Sequence, residues 1–178
     1  MQHSSVPILG ISGHKKSGKT LLIIELLKHF NERGLSVAVI KHEPDHFHID
    51  QPKHDSYNLR EAGAQQVLLT SNQRWALLYE REQAQEPSIE AHIADLQTDN
   101  LDLVLVEGNS GNTFPKLEVH RPIMCKPLLF PKDKHIIAVA TDSPLIMTDD
   151  ITLLDLNDVK IIADFICEEI IATFLNNQ

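Results

Sequence analysis

Residues Ile8 to Leu27 read ILGISGHKKSGKTLLIIELL. An apolar run gives way to glycines and three lysines, then resumes at once. Lysines crowded between two hydrophobic segments repel one another, so something anionic compensates them. Gly13-His14-Lys15-Lys16-Ser17-Gly18-Lys19-Thr20 matches G-x-x-x-x-G-K-[ST] at every fixed position, and the flanks read as strand before and helix after. Glycines let such a loop wrap tightly and aim successive N–H groups at one point. The following helix adds unpaired amides and a partial positive charge. In this arrangement Lys19 reaches β- and γ-phosphates and the Thr20 hydroxyl ligates Mg²⁺. Lys15 and Lys16 add positive potential or contact a partner's phosphate. Gly10, Gly13 and Gly18 lack the G-x-G-x-x-G spacing, which rules out a dinucleotide fingerprint.

The rest of the chain is arranged around this loop. Val6–Ser12 reads as a buried strand and Thr20–Arg33 as a helix, with Glu25, Lys28, His29 and Glu32 on one wet face and Gly34 as its C-terminal stop. LSVAVIK (35–41) is a second strand, giving a βαβ unit and parallel pairing. A short helix is expected over Ser56–Gly63. QVLLT and WALLYE flank SNQR as a hairpin, and Pro87–Leu96 reads as a helix. LDLVLVEG, the alternating PKLEVHRP and HIIAVAT are further strands, and Asn157–Phe174 is a terminal helix with Lys160, Asp164 and Glu168 on its wet side. No linker divides residues 1–178, so one nucleotide-binding domain is expected. The fold class is α/β: a P-loop NTPase three-layer sandwich, mainly parallel, with an antiparallel edge hairpin.

Parallel sheets bind ligands beyond the C-terminal ends of their strands, and that rule sorts the carboxylates. Asp102 starts its strand and Glu107 ends it, about 16 Å apart. Glu107 is therefore the candidate that binds Mg²⁺ through water or orients a water, and Gly108 allows close backbone approach. Asp50 and Asp55 lie in the loop after the second strand, where one carboxylate can approach the γ-phosphate. His42, His46, His48 and His54 fit no closed zinc spacing and read as contacts to an anionic substrate. Asp142 leaves a strand at the C-terminal edge. It either accepts from guanine N1–H and N2–H₂ or is a turn residue before Ser143-Pro144.

Composition limits the partners. The 178 residues carry a net charge of −9, which argues against general attraction to nucleic acid. No apolar run approaches the ~20 residues of a membrane span, and MQHSSVP has no signal-peptide pattern. Cys125 and Cys167 have no Cys-x-x-Cys companion and are expected as buried, reduced thiols. The expected location is the cytoplasm.

Several motifs occur in order: the phosphate loop, KHEPDHFHIDQPKHDSYNLREAGA (41–64), DLVLVEG (102–108), FPKLEVHR (114–121), AVATD (138–142) and LDLNDVKIIADFI near the end. Together they resemble the molybdopterin-guanine dinucleotide biosynthesis protein B family over nearly the whole chain. The resemblance implies a GTP-binding, Mg²⁺-dependent, weakly GTPase-active homodimer. Such a protein assists the guanylyltransferase that attaches GMP to molybdopterin, itself a candidate ligand. It assigns Lys19 and Thr20 to phosphate and Mg²⁺ and Glu107 to the metal side. Asp50, Asp55 and Ser56 go to the family loop, and Arg60 becomes a candidate anion contact. By this reading Lys19, Asp50 and Glu107 carry the catalysis, with Asp50 beside Thr20 and Glu107 at the metal. Departures from the family pattern are Asn109-Ser110 after V-E-G, Lys53, and Pro44-Asp45. The alternatives are a small-molecule kinase, for which no arginine-rich lid is visible, and an interaction module locked by nucleotide without meaningful hydrolysis.

Overall fold

The computed structural model describes residues 5–42, 50, 52, 54–81, 88–108, 112–145 and 150–177. The expected readings at Pro44-Asp45, His46, His48, Lys53, Pro87 and Asn109-Ser110 lie outside the described residues. Two compact units emerge, Met1–His42 with Ile89–Gln178, and Glu43–Ser88.

The larger unit is built on six strands: β1 (Ile8–Ser12), β2 (Val37–Lys41), β5 (Leu103–Glu107), β6 (Lys116–His120), β7 (Ile136–Thr141) and β8 (Thr152–Asp155). Their order is β2-β5-β1-β6-β7-β8, and every pairing is parallel. Helix α1 (Lys19–Glu32) buries Leu22, Ile23, Leu26 and Phe30, one stripe at helical spacing. These side chains join Leu9, Ile11, Leu105, Leu117 and Val119 of the sheet and Ile162 and Ile166 of α4 (Val159–Ile166). Each such side chain is worth about 1.5–3 kcal/mol of burial, so this face dominates the unit's stability. On the other face, Ile89 and Ile93 of α3 (Ile89–Ala94) cover Val104 and Val106. Helices on both faces of a parallel sheet make the expected three layers.

Details depart from expectation. Strand β8 was not anticipated: TLLD is four residues long and merges in sequence with the following helix. The terminal helix, capped by Asp158 accepting from the Ile161 N–H at 3.2 Å, runs through a π-helical stretch, Cys167–Ala172, into α5 (Thr173–Asn176). Cys125 is exposed and Cys167 half-buried, both unpaired, rather than two buried thiols.

The smaller unit holds α2 (Asp55–Glu61) and a hairpin of β3 (Gln66–Thr70) and β4 (Trp75–Tyr79). The expected antiparallel pairing is present, but as a two-stranded sheet of its own. Its Ser71 hydroxyl accepts from the Gln73 and Arg74 amides, which closes the turn.

Candidate functional site

The loop between β1 and α1 has three backbones in the left-handed region within six residues, Gly13 (φ 141°), Lys16 (φ 69°) and Gly18 (φ 103°). A Cβ at Gly13 would stand 2.5 Å from the Val119 carbonyl oxygen, so only glycine lets the loop pack against β6. The Ser17 N–H donates to the His14 carbonyl at 3.1 Å and tightens the wrap. Gly18 caps α1 with no side-chain hydrogen bond, and no acid stands in the first turn. The helix thus presents its amides and positive dipole end to the loop.

Lys19 folds back across this loop, its ammonium donating to the Gly13 and His14 carbonyls at 3.0 Å each. Among the described residues it is paired with carbonyls, not with a carboxylate. Burial foremost, together with the Lys41 charge, pushes its pKa below the ordinary lysine value against the pull of Glu107. The Thr20 hydroxyl donates to Glu107 Oε1 at 2.6 Å. Glu107 ends β5 opposite Ile11 and Lys41, at the C-terminal edge, and is 9% exposed. Asp102 is at the other end of that chain segment, where it accepts from the Ser36 N–H at 2.7 Å. Hydroxyl and carboxylate are hard oxygen donors, and Mg²⁺ habitually takes one or two such groups and completes its shell with phosphate and water. The Thr20–Glu107 pair fits that ion. Among the described residues no group of three or more His, Cys, Asp or Glu could hold a metal.

The remaining site residues divide. Lys15 and Lys16 are exposed. The His14 Nε2–H donates to the Pro127 carbonyl at 2.8 Å. Ser17 is buried, its hydroxyl without a partner among the described residues. Asp142 follows β7 and meets Arg121, which also reaches the loop at the Ser17 carbonyl. Sequence reading missed Arg121 as a loop contact. It closes the family-like motif FPKLEVHR and leaves a strand, but which strand neighbours β1 is not legible locally.

Asp50 belongs to the smaller unit. Arg60 grips both its oxygens, Nη2 at 2.6 Å and Nε at 3.3 Å, and holds its carboxyl below the usual carboxylate range. Arg60 also pairs with Glu80. Asp50, expected at the metal, is thus engaged by a guanidinium, and Arg60, expected at an anion, is engaged by two carboxylates. Asp55 opens α2, and Ser56 is buried beside Asp50.

The parallel order, the glycine loop between the first strand and helix, and an acid ending the neighbouring strand define a P-loop NTPase-type α/β protein. The chain matches the family model "MobB: Molybdopterin guanine dinucleotide synthesis protein B" over residues 8–142. It belongs to that family. It is 39% identical over 165 residues to a Haemophilus influenzae protein named molybdopterin-guanine dinucleotide biosynthesis adapter protein, covering 92% of this chain and 89% of that one. It is 38% identical over 169 residues to the Escherichia coli K12 protein of the same name, covering 92% and 93%. A crystal structure of molybdopterin-guanine biosynthesis protein B superposes with a TM-score of 0.68 at 27% identity, covering 89% of this chain and 97% of that one. Bacillus subtilis MobB shares the fold, with a TM-score of 0.72 at 20% identity, covering 92% and 98%. Among the described residues no helix is long and apolar enough to cross a membrane.

Proposed function

We propose that this chain is a GTP-binding adapter for attaching GMP to molybdopterin, working in the cytoplasm beside the guanylyltransferase that performs the transfer. The observation that carries the reading is the loop Gly13–Thr20 with Glu107 at 2.6 Å from the Thr20 hydroxyl. Loop amides, the α1 dipole and Lys19 suit a triphosphate tail. An arriving phosphate would draw the Lys19 ammonium from the two carbonyls it now bridges. Bound Mg²⁺ would supply charge neutralisation on the phosphates, held by Thr20 and Glu107. Turnover is expected to be slow, because the loop's arginine neighbour, Arg121, is already tied to the Ser17 carbonyl and Asp142.

Self-association belongs to the same reading. Register Leu68↔Leu77 and Thr70↔Trp75 puts Leu68, Leu77, Trp75 and Tyr79 on one face of the hairpin, all exposed. A contiguous apolar face of this kind suits a homodimer contact.

Calorimetry with GTP, ATP and GMP, with and without Mg²⁺ and the guanylyltransferase, tests the proposal. GTP with Mg²⁺ should bind, chelation should weaken it, and Lys19→Ala should abolish it. Unchanged affinity in Lys19→Ala would end the reading. Fast phosphate transfer to a pterin would mean a kinase. Bound nucleotide that is never hydrolysed but shifts the oligomer mass would mean an interaction module.

A further inference from the structure

Arg121 occupies a place that neither the phosphate loop nor the metal pair explains. Strand β6 lies between β1 and β7 in the sheet. His120 and Thr141 are register partners on β6 and β7, so Arg121 and Asp142 are the first residues past adjacent strands. From there the Arg121 Nε donates to the Ser17 carbonyl at 2.9 Å, and Nη1 donates to Asp142 Oδ2 at 2.5 Å. The guanidinium also lies against Gly18, where an added Cβ would come within 3.4 Å of Nη2. One side chain therefore spans from the phosphate loop to the end of β7.

Both ends of this span have chemical consequences. A trans peptide points its C=O and the next N–H to opposite sides. Holding the Ser17 carbonyl therefore turns the Gly18 N–H away from Arg121. At the far end, Asp142 keeps Oδ2 on the guanidinium, while Oδ1 is buried with no hydrogen-bond partner among the described residues. Buried carboxylate oxygens without a donor are rare in folded proteins and call for an explanation. A carboxylate only accepts hydrogen bonds. A ring edge offering N–H donors satisfies it; one offering a bare ring nitrogen does not. Guanine offers N1–H and N2–H₂ on that edge, whereas adenine presents an acceptor at N1.

We propose that Arg121 is a positioning residue that couples base recognition to the phosphate loop, orienting Asp142 so that Oδ1 selects a guanine edge while the same guanidinium fixes the Ser17–Gly18 peptide. This rests on the reading of the loop as a GTP site. It also distinguishes Arg121 from an arginine that acts on the phosphates alone, because Nε and Nη1 are directed to a carbonyl and a carboxylate.

The test compares wild type, Arg121→Ala, Arg121→Lys and Asp142→Asn by calorimetry with Mg²⁺ and four probes: GTP, ATP, xanthosine triphosphate and inorganic tripolyphosphate. Arg121→Ala should shrink the GTP-to-ATP preference by about tenfold or more, the scale of one charge-assisted hydrogen bond. It should also weaken tripolyphosphate, through the loop. Arg121→Lys, a point charge without the fork, should recover only part of the preference. Asp142→Asn should leave tripolyphosphate unchanged and move preference from GTP toward xanthosine triphosphate, whose 2-oxo group accepts from an amide. A purely structural arginine would lower all four affinities and the melting temperature together and leave the ratio alone. That result in Arg121→Ala overturns the proposal, as does wild-type selectivity in Asp142→Asn or a wild-type preference for ATP. If Arg121→Ala does not fold, Arg121→Lys and Asp142→Asn decide on the same ratios. If wild type binds tripolyphosphate and GTP but shows no base preference, the triphosphate reading of the loop stands and the present inference fails. If it binds neither tripolyphosphate nor GTP, the loop reading fails first and takes this one with it.

Discussion

Gly13 concentrates the local physics of the loop. Its φ of 141° is open to glycine and strained for other residues, and a methyl group there meets the Val119 carbonyl at 2.5 Å. Backbone strain of this kind costs about 1–3 kcal/mol. Gly13→Ala should lower stability by that order in chemical denaturation. It should also lose triphosphate binding, because the loop must retreat from β6. A variant with wild-type stability and affinity would show that the loop tolerates a different path. Lys19 and Thr20 were legible because their motif is contiguous and its meaning local. Arg121 was not, since its contacts with Ser17 and Asp142 span 104 and 21 residues of chain.

Strand β6 shows the same contrast one level up. KLEVH alternates as a half-wetted strand should, yet all five residues are buried. Leu117 and Val119 face the α1 core. The opposite face is polar and carries Lys116, Glu118 and His120. Lys116, 0% exposed, pairs with Asp133 at 2.7 Å, and Glu118 accepts from the Leu129 and Phe130 amides at 2.8 to 3.0 Å. Burying charges is tolerable only when each is matched, and the segment after β6 does the matching. Asp133→Asn leaves the Lys116 ammonium without its counter-charge and should destabilise by about 3 kcal/mol, read as a drop in melting temperature. Burial, the largest influence on Asp133, works to raise its pKa. The Lys116 hydrogen bond and the His135 amide outweigh it, and the folded value is lowered. Its stabilisation is therefore present above the unfolded aspartate value, about 3.9, and disappears as pH falls through the folded one. Asp133→Asn should flatten that part of the acid denaturation curve. An unchanged curve would remove the pair from the account.

At the scale of the whole chain, residues 43–88 form their own compact unit between β2 and α3. All six parallel strands and both apolar clusters belong to the other unit. Replacing residues 43–88 with a short Gly/Ser linker should leave a cooperatively melting parallel-sheet protein, checked by circular dichroism; loss of cooperative melting would mean the units are not energetically separable. Association should respond to the hairpin instead. Trp75→Ser with Leu77→Ser removes apolar surface from the exposed face and should shift sedimentation toward monomer without lowering the melting temperature. A variant with the oligomeric mass of a dimeric wild type would move the proposed interface elsewhere, and a wild type that sediments as monomer at high concentration would end the homodimer reading.

What the sequence determined is what short-range patterns encode: the phosphate loop between a strand and a helix, the α1 stripe, the Glu107 exit and the hairpin at Ser71–Arg74. Spacing along the chain sets those geometries, because neighbours in sequence are neighbours in space. Strand order, by contrast, is chosen by burial summed over the sheet. Only the tertiary structure put β6 between β1 and β7, turned KLEVH into a doubly covered strand, and brought Arg121 to Ser17 and Asp142. Asp50 and Arg60 stand ten residues apart within one sequence motif, yet their pairing too is a matter of packing, because a buried carboxylate is stable where a guanidinium reaches both its oxygens.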